Sequence, residues 1–323
     1  NTTGEQSGAG IYINESTLYI TDSEVSNNIS GNSGGGMFAI YSELNIHNTA
    51  FVGNVAAETG GGLRHREGSL SINESKFLNN TATESNGGAL SIDFTSANSN
   101  AVANINKTIF SENVAVNGSA ISLSDTYANI NNITVINNSD EYEFGAPIRT
   151  SGNGYTSHIN NSIIWNENND YQIYYHCGGS GSPVTDVNIN YSDILMGTAS
   201  VYDECGSQDI HFSSIIDLNP QLNDDYSLQP TSPCIDAGDP ESPLDPDGTI
   251  ADMGAFYFDQ IENPINGGCT DIEAVNYDLE AMFNDGTCIY STGITDSLLI
   301  GVWESSNIFG FYNHYCDGLL YTS

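Results

Sequence analysis

Cations are nearly missing from this chain. Its 323 residues carry 5 Lys plus Arg against 41 Asp plus Glu, a formal net charge of −36. Neutralising phosphate takes clustered Lys and Arg, so this scarcity argues against a nucleic-acid partner and against an anionic membrane surface. Long apolar runs are missing too. None approaches the roughly 20 residues that a membrane helix needs, so no membrane insertion is expected. The first residue is Asn1, with no basic start and apolar stretch, so any export signal is expected to lie outside these residues. Cys does not occur before position 177, and no Cys-x-x-Cys spacing suggests a thiolate metal site. Gly-x-Ser-x-Gly occurs once, at Gly31-Asn32-Ser33-Gly34-Gly35, but like the other glycine runs it precedes apolar alternation, where a nucleophile elbow or a phosphate site would need a helix.

What is present is periodic. Charged residues make up 14% of the chain and hydrophobic residues 38%, enough to build a core. A glycine-led apolar segment recurs as Gly8-Ala9-Gly10-Ile11, Gly34-Gly35-Gly36-Met37, Gly60-Gly61-Gly62-Leu63, Gly87-Gly88-Ala89-Leu90, Gly118-Ser119-Ala120-Ile121 and Gly145-Ala146-Pro147-Ile148. Its last residue returns after 26, 26, 27, 31 and 27 positions. A second segment keeps step: Leu18 to Val25, Leu44 to Phe51, Leu70 to Phe77 and Ala103 to Phe110, continuing through Ile130 to Val135, Ile159 to Ile164, Ile189 to Ile194 and Ile210 to Ile215. Apolar and polar residues alternate within it, the period of a strand with one buried face. An Asn follows three residues later at 28, 54, 80, 113 and 138, suited to a tight corner by its local hydrogen bonding and tolerance of left-handed backbone.

Short strands, polar corners and a repeat of 26 to 31 residues predict an all-β, single-stranded parallel β-helix. One coil cannot bury its inward residues alone, but stacked coils bury them against the same positions above and below. Ile20, Ile46, Ile72 and Ile105 should form one column, and the corner asparagines could form a hydrogen-bonded ladder. Eight coils at about 4.8 Å each would make a rod on the order of 40 Å long.

These repeats resemble the right-handed parallel β-helix, or pectin-lyase-like, proteins of secreted bacterial surfaces, over roughly residues 8 to 258. The end of that stretch carries the most specific part of the resemblance: Asn219-Pro220, Tyr226-Ser227-Leu228-Gln229-Pro230, Ser232-Pro233-Cys234-Ile235-Asp236-Ala237-Gly238-Asp239 and Asp252-Met253-Gly254-Ala255-Phe256-Tyr257. Handedness is implied by the resemblance alone. It also raises polysaccharide cleavage as an activity. However, the Asn-Thr-Asp, Gly-His-Gly and Arg-Ile-Lys motifs of similar polygalacturonases are absent from this sequence, and its one adjacent Asp pair, Asp224-Asp225, falls after the repeated segments rather than among them. A lyase acting on uronates would in addition need cations to neutralise the substrate carboxylate.

Three parts are expected: a β-helix over 1–258, a Cys-flanked acidic module over 259–290, and a linker with the start of a truncated further segment over 291–323. Cys177 and Cys205 bracket a Gly- and Ser-rich excursion, where a disulfide would offset loop entropy. Cys269 and Cys288 bracket Asn276-Tyr277-Asp278 and Asn284-Asp285-Gly286-Thr287, which resembles a small module repeated in secreted bacterial proteins and implies a second pair. Such pairing points to an extracellular setting, secreted or at the cell surface. Cys234 is expected as a buried free thiol rather than as a partner of Cys316. Both ends look cut, so other domains of the same polypeptide are expected partners.

Two site candidates stand out. Leu63-Arg64-His65-Arg66-Glu67 holds two of the five cations. Aligning the coils puts His65 inward with Ile13, Ala39, Ile92 and Leu123, and turns Arg64 and Arg66 outward beside Tyr12, Phe38, Ile40 and Asp93. Tyr12, Phe38, Arg64, Arg66 and Asp93 are therefore candidate carbohydrate contacts. The structural alternative is a space-filling His65, with the arginines paired to Glu67 and Asp93. The second candidate is an acidic turn holding Asp239, Asp245, Asp247 and Asp252 around Asp245-Pro246-Asp247-Gly248, whose oxygens at alternate positions could hold Ca²⁺. The frame is incomplete at Pro243 and Gly254, and a solvated turn closing the last coil explains it too. Asn-x-Ser/Thr triplets such as Asn14-Glu15-Ser16, Asn73-Glu74-Ser75, Asn106-Lys107-Thr108 and Asn190-Tyr191-Ser192 could be glycosylation sites, but the repeat alone accounts for them. The resulting expectation is an extracellular β-helix rod acting as a non-enzymatic adhesin, stalk or carbohydrate-binding protein, its partner a polysaccharide or cell-surface glycan. The alternatives are a polysaccharide lyase or glycoside hydrolase, with its site on the Tyr12/Phe38/Arg64 face or in the 171–208 excursion, and, third, ice or mineral binding.

Overall fold

The computed structural model describes residues 1–94, 101–152, 155–177, 186–204, 210–263, 267–281, 283–284 and 286–290. The chain divides into two units, Asn1–Asn263 and Pro264–Ser323.

The first unit is a parallel β-solenoid of about seven turns. Among the described residues its helical content is one short 3₁₀ turn, Gly197–Ser200. Three parallel sheets run along it. The glycine-led segments form an eight-stranded sheet from Ile11–Asn14 to Val201–Asp203. The second segments form a twelve-stranded sheet from Thr17–Ser26 to Ile210–Ile216, and two-residue strands such as Ile29–Ser30 and Val55–Ala56 form a third sheet of six.

The register follows the sequence repeat. Ile20, Ile46, Ile72, Ile105, Ile130, Ile159 and Ile189 are successive partners. So are Ile11, Met37, Leu63, Leu90, Ile121 and Ile148, and that column continues to Ile173 and Val201. Phe51, Phe77 and Phe110 stack face to face at centroid separations of 4.7 and 5.1 Å, all fully buried. The last rung departs from the expected frame. Val187 faces Ile210 and Ile189 faces Phe212, two residues later than the Ile189–Ile210 match that the apolar alternation suggests.

Asparagine at the first corner does more than turn the chain. The side-chain oxygen of Asn54 accepts both the main-chain N–H (3.1 Å) and the side-chain amide (3.0 Å) of Asn28. Asn80, Asn113, Asn138 and Asn166 repeat the arrangement, and Gln172 ends it by accepting the Asn166 amide at 3.0 Å. Each amide from Asn54 to Asn166 also donates to a main-chain oxygen one coil back, as Asn80 does to Phe51 at 2.9 Å. These residues are buried, so the ladder satisfies corner groups that water cannot reach. The left-handed backbone expected at the ladder asparagines lies one residue earlier, at Asn27, Gly53, Asn79, Glu112 and Asn137.

A second corner explains the Asn-x-Ser/Thr triplets. Its middle residue, for example Glu74 or Lys107, is left-handed (φ 51° and 48°). The buried hydroxyl that follows returns to the carbonyl of the Asn, Ser75 to Asn73 at 2.9 Å and Thr108 to Asn106 at 2.8 Å. The glycine-led corner needs its glycines. Gly60 is left-handed (φ 69°), and a Cβ on Gly61 would lie 2.4 Å from the carbonyl oxygens of Gly88 and Thr81.

The segment after the last coil runs back along the flank instead of closing the end. Cys234, buried and free, donates to Asp193 (3.3 Å). Further on, Asp239 N–H reaches the side-chain oxygen of Asn161 (2.8 Å), Asn132 donates to Asp252 O (3.0 Å), and Ala255 N–H donates to Thr134 (2.9 Å). Lys76 lies over the Phe256 ring at 5.6 Å. This strap covers Asp193 and buries Met253 and Ala255.

In the second unit, Cys269 and Cys288 form a disulfide closing 19 residues of separation. Gly267–Gly268 pairs with Phe283–Asn284. Ile272, Val275 and Leu279 are largely exposed, so among the described residues little apolar burial supports this segment. In a chain-entropy account a closed loop of this size contributes about 3 kcal/mol. The Cys177–Cys205 pair and Cys316 lie outside the residues whose side chains are described.

Two outcomes test this fold. Asn80→Ala removes the acceptor for two buried Asn54 donors and the amide that bonds the Phe51 carbonyl, so urea unfolding should show a loss of about 2–4 kcal/mol. Asn104→Ala, the same change on the exposed face, should stay within about 0.5 kcal/mol. The second concerns pH. Burial pushes the Asp193 carboxyl up to about 6, only partly opposed by its bonds to Leu218 N–H and Cys234. Burial, with Asp245 and Asp236 nearby, raises Asp252 to about 7, against the N–H bonds it accepts from Phe258 and Asp236. The folded state therefore holds protons that the unfolded chain releases near the usual carboxylate value. The stabilisation is complete below that value and is lost as pH rises through about 6 to 7. Melting temperature should be higher at about pH 5 than at about pH 8, and Asp193→Asn should flatten that difference. A melting temperature that climbs with pH over this range contradicts the assignment.

Candidate functional site

The pleat fixes which side chains leave the solenoid. In the eight-stranded sheet Ile11 and Ile13 point inward, so Tyr12 and every residue in its register point outward. That outward column reads Tyr12, Phe38, Arg64, Ser91, Ser122, Arg149, Tyr174, Tyr202. Two aromatic residues, an arginine and a serine are followed by a serine, an arginine and two aromatic residues. The next outward column contains Ile40, Arg66, Asp93, Ser124, Ser151 and His176. All three arginines of the sequence thus lie on one face of one sheet.

The predicted contact residues are brought together, with different roles. Tyr12 is 58% exposed and stacks on the nearly buried Phe38 at 5.7 Å. Arg64 is held: its guanidinium donates to Ser91 (2.7 Å) and to Asp93 (2.8 Å). Burial draws Arg64 below its ordinary value while Asp93 opposes that. Arg66 Nε and Asp93 Oδ1 are buried with no hydrogen-bond partner among the described residues.

His65 is inward, as expected, between Ala39 and Ile92. It is fully buried, meets Phe94 edge-on at 5.6 Å, and has Nε2 3.0 Å from the Ser42 carbonyl. Burial lowers its imidazole to about 4. It is neutral at pH 7, Nε2–H donates to Ser42, and the ring fills core space rather than serving the surface.

The far end of the column is an aromatic cluster that motif reading missed. Tyr174 stacks on Tyr202 (5.4 Å, 11° between planes), Phe144 stacks on Tyr202 (5.2 Å), and Tyr171 meets Tyr202 at 5.0 Å. Tyr142, 47% exposed, extends it toward solvent. Arg149 donates to Ser151 (3.0 Å) beside it. His176 and Glu204 meet at 2.5 Å on the same face, and burial with the nearby Glu204 raises the Tyr174 phenol to about 12. The spacing of 25 residues from Ile148 to Ile173 was the available signal, obscured because Asp170 stands where the earlier rungs have their leading glycine.

The acidic turn is bonded mostly to main chain. Asp252 accepts N–H from Asp236 (2.7 Å) and Phe258 (2.6 Å), Asp245 from Asp252 (2.8 Å), Asp247 from Thr249 (3.1 Å) and Gln260 (2.9 Å), and Asp239 from Glu241 (2.9 Å). Carboxylates in these roles shape the strap. Among the described residues no group of three or more His, Cys, Asp or Glu could hold a metal ion.

Comparison with family models, with curated proteins and with solved structures gives no match.

Because Arg64 holds Asp93 in place, Arg64→Met should cost about 1.5–3 kcal/mol in urea unfolding, the range for a hydrogen bond to a charged group. Tyr12→Ala, at an exposed position, should cost less than about 0.5 kcal/mol. Equal losses would show that Arg64 has no structural role.

Proposed function

We propose that this β-helix is a non-enzymatic, glycan-binding protein of the cell exterior, an adhesin or stalk whose contact face is the outward side of the glycine-led sheet. The observation that carries this is the single column of aromatic pairs and arginines from Tyr12 to Tyr202. Aromatic faces stack on the apolar faces of sugar rings, while Arg, Ser and Asp bond hydroxyls or acidic groups. The two arginines are three rungs apart, roughly 14 Å, so the column can follow an extended chain rather than enclose a small molecule. The Cys269–Cys288 disulfide supports an oxidising setting, and the charge of −36 keeps copies of such a surface apart. The likeness of the repeats to pectin-lyase-like surface proteins agrees with this reading.

A second reading, cleavage of an extracellular polysaccharide, rests on the His176–Glu204 contact beside the aromatic cluster. The two are separated by one set of assays. A panel of acidic and neutral polysaccharides, with and without Ca²⁺, should give retardation in affinity electrophoresis but no new reducing ends or unsaturated products. Tyr202→Ala should weaken retardation about tenfold or more, on the order of 1.4 kcal/mol. Product formation abolished by His176→Ala would replace the binding reading with the enzymatic one. No retardation by any polysaccharide would remove both.

A further inference from the structure

The twelve-stranded sheet presents a different surface. Its outward residues form two adjacent rows of side-chain amides, Asn104 with Asn129 in one and Asn73, Asn106, Asn131, Asn160 and Asn190 in the other. Several are linked along the axis: Asn106 donates to Asn73 (3.0 Å), Asn129 to Asn104 (3.0 Å), and Asn190 to Asn160 (3.0 Å). The strap rises beside these rows, and between them lies a groove of about 790 Å³. Asn73, Asn104, Asn106 and Asn131 line its floor, and Pro243, Leu244 and Pro246 line its wall.

We infer that this groove binds an extended, uncharged oligosaccharide. A carboxamide both donates and accepts, as each sugar hydroxyl does, and the floor offers a fresh amide at every rung, about 4.8 Å apart. The Asn–Asn bonds pre-orient the amides, so little side-chain freedom is lost on binding. Leu244, 59% exposed between two prolines, supplies an apolar wall for a ring face. Charge selects against acidic sugars here. Lys107 is the one cation lining the groove, and it lies close enough to Asp245 in the opposite wall to act on that carboxylate. This inference does not depend on the arginine face, since the two surfaces belong to different sheets.

The test is isothermal titration calorimetry of the full chain with cellohexaose, mannohexaose and chitohexaose, each to about 10 mM, where a Kd in the millimolar range is still measurable. At least one should bind. Asn104→Ala with Asn131→Ala should weaken that binding roughly tenfold or more, and Tyr202→Ala should leave it unchanged. Leu244→Glu, on the exposed wall, should weaken it as well, which keeps the test intact if the double variant is destabilised. Absence of binding by all three sugars overturns the inference. So does binding that survives both Asn104→Ala/Asn131→Ala and Leu244→Glu, or binding lost on Tyr202→Ala alone.

Discussion

Every coil must turn at the same place as its neighbours, and each turn removes main-chain groups from water. The asparagine ladder from Asn28 to Asn166 meets that constraint with one residue type: its oxygen takes two donors from the coil before, and its amide returns a bond to that coil's carbonyl. A buried polar group left without a partner costs more than a hydrogen bond contributes net, so a slipped register that breaks the ladder is penalised beyond the loss of apolar packing. The apolar columns then fall into line. Phe51, Phe77 and Phe110 stack because their corners are already aligned.

With inward positions and corners committed in this way, outward positions are free to vary, and there the chain diversifies. One sheet carries arginines and aromatics, another carries amide rows flanked by the strap. Both are linear surfaces repeating at the rung spacing, which suits polymeric ligands better than compact ones. The scarcity of cations sharpens the contrast. Three of five lie on the glycine-led sheet, while Lys76 and Lys107 lie beside the strap, against Phe256 and near Asp245.

Much of the fold was legible in the sequence. The Ile20 column, the ladder asparagines and inward His65 follow from a two-residue period locked to a repeat of 26 to 31, and the structure places them so. The Cys269–Cys288 bridge was implied by the resemblance of its flanking residues to a small Cys-flanked module. The failures share a cause, which is loss of the local signature while the register persists. Asp170 stands where the earlier rungs have their leading glycine, although Gln172 still caps the ladder, so Tyr174 and Tyr202 were not aligned with Arg64. The last rung shifted by two because alternation alone cannot separate Ile210 from Phe212. The flanking strap was unreadable because its contacts, such as Ala255 to Thr134, span more than a hundred residues and follow no period. Of the site, the Tyr12–Asp93 half was found through its charges, and the groove was not, since asparagines in a polar repeat look like any other corner.

Hydrogen exchange of the side-chain amides tests the central constraint directly. If the ladder locks the coils, the Nδ2 protons of Asn54, Asn80, Asn113 and Asn138 exchange only through unfolding of the solenoid, in step with the buried strand amides, while that of exposed Asn104 exchanges freely. Ladder amides that exchange as fast as Asn104 would contradict the account, because the corners would then be open to water and something else would set the register.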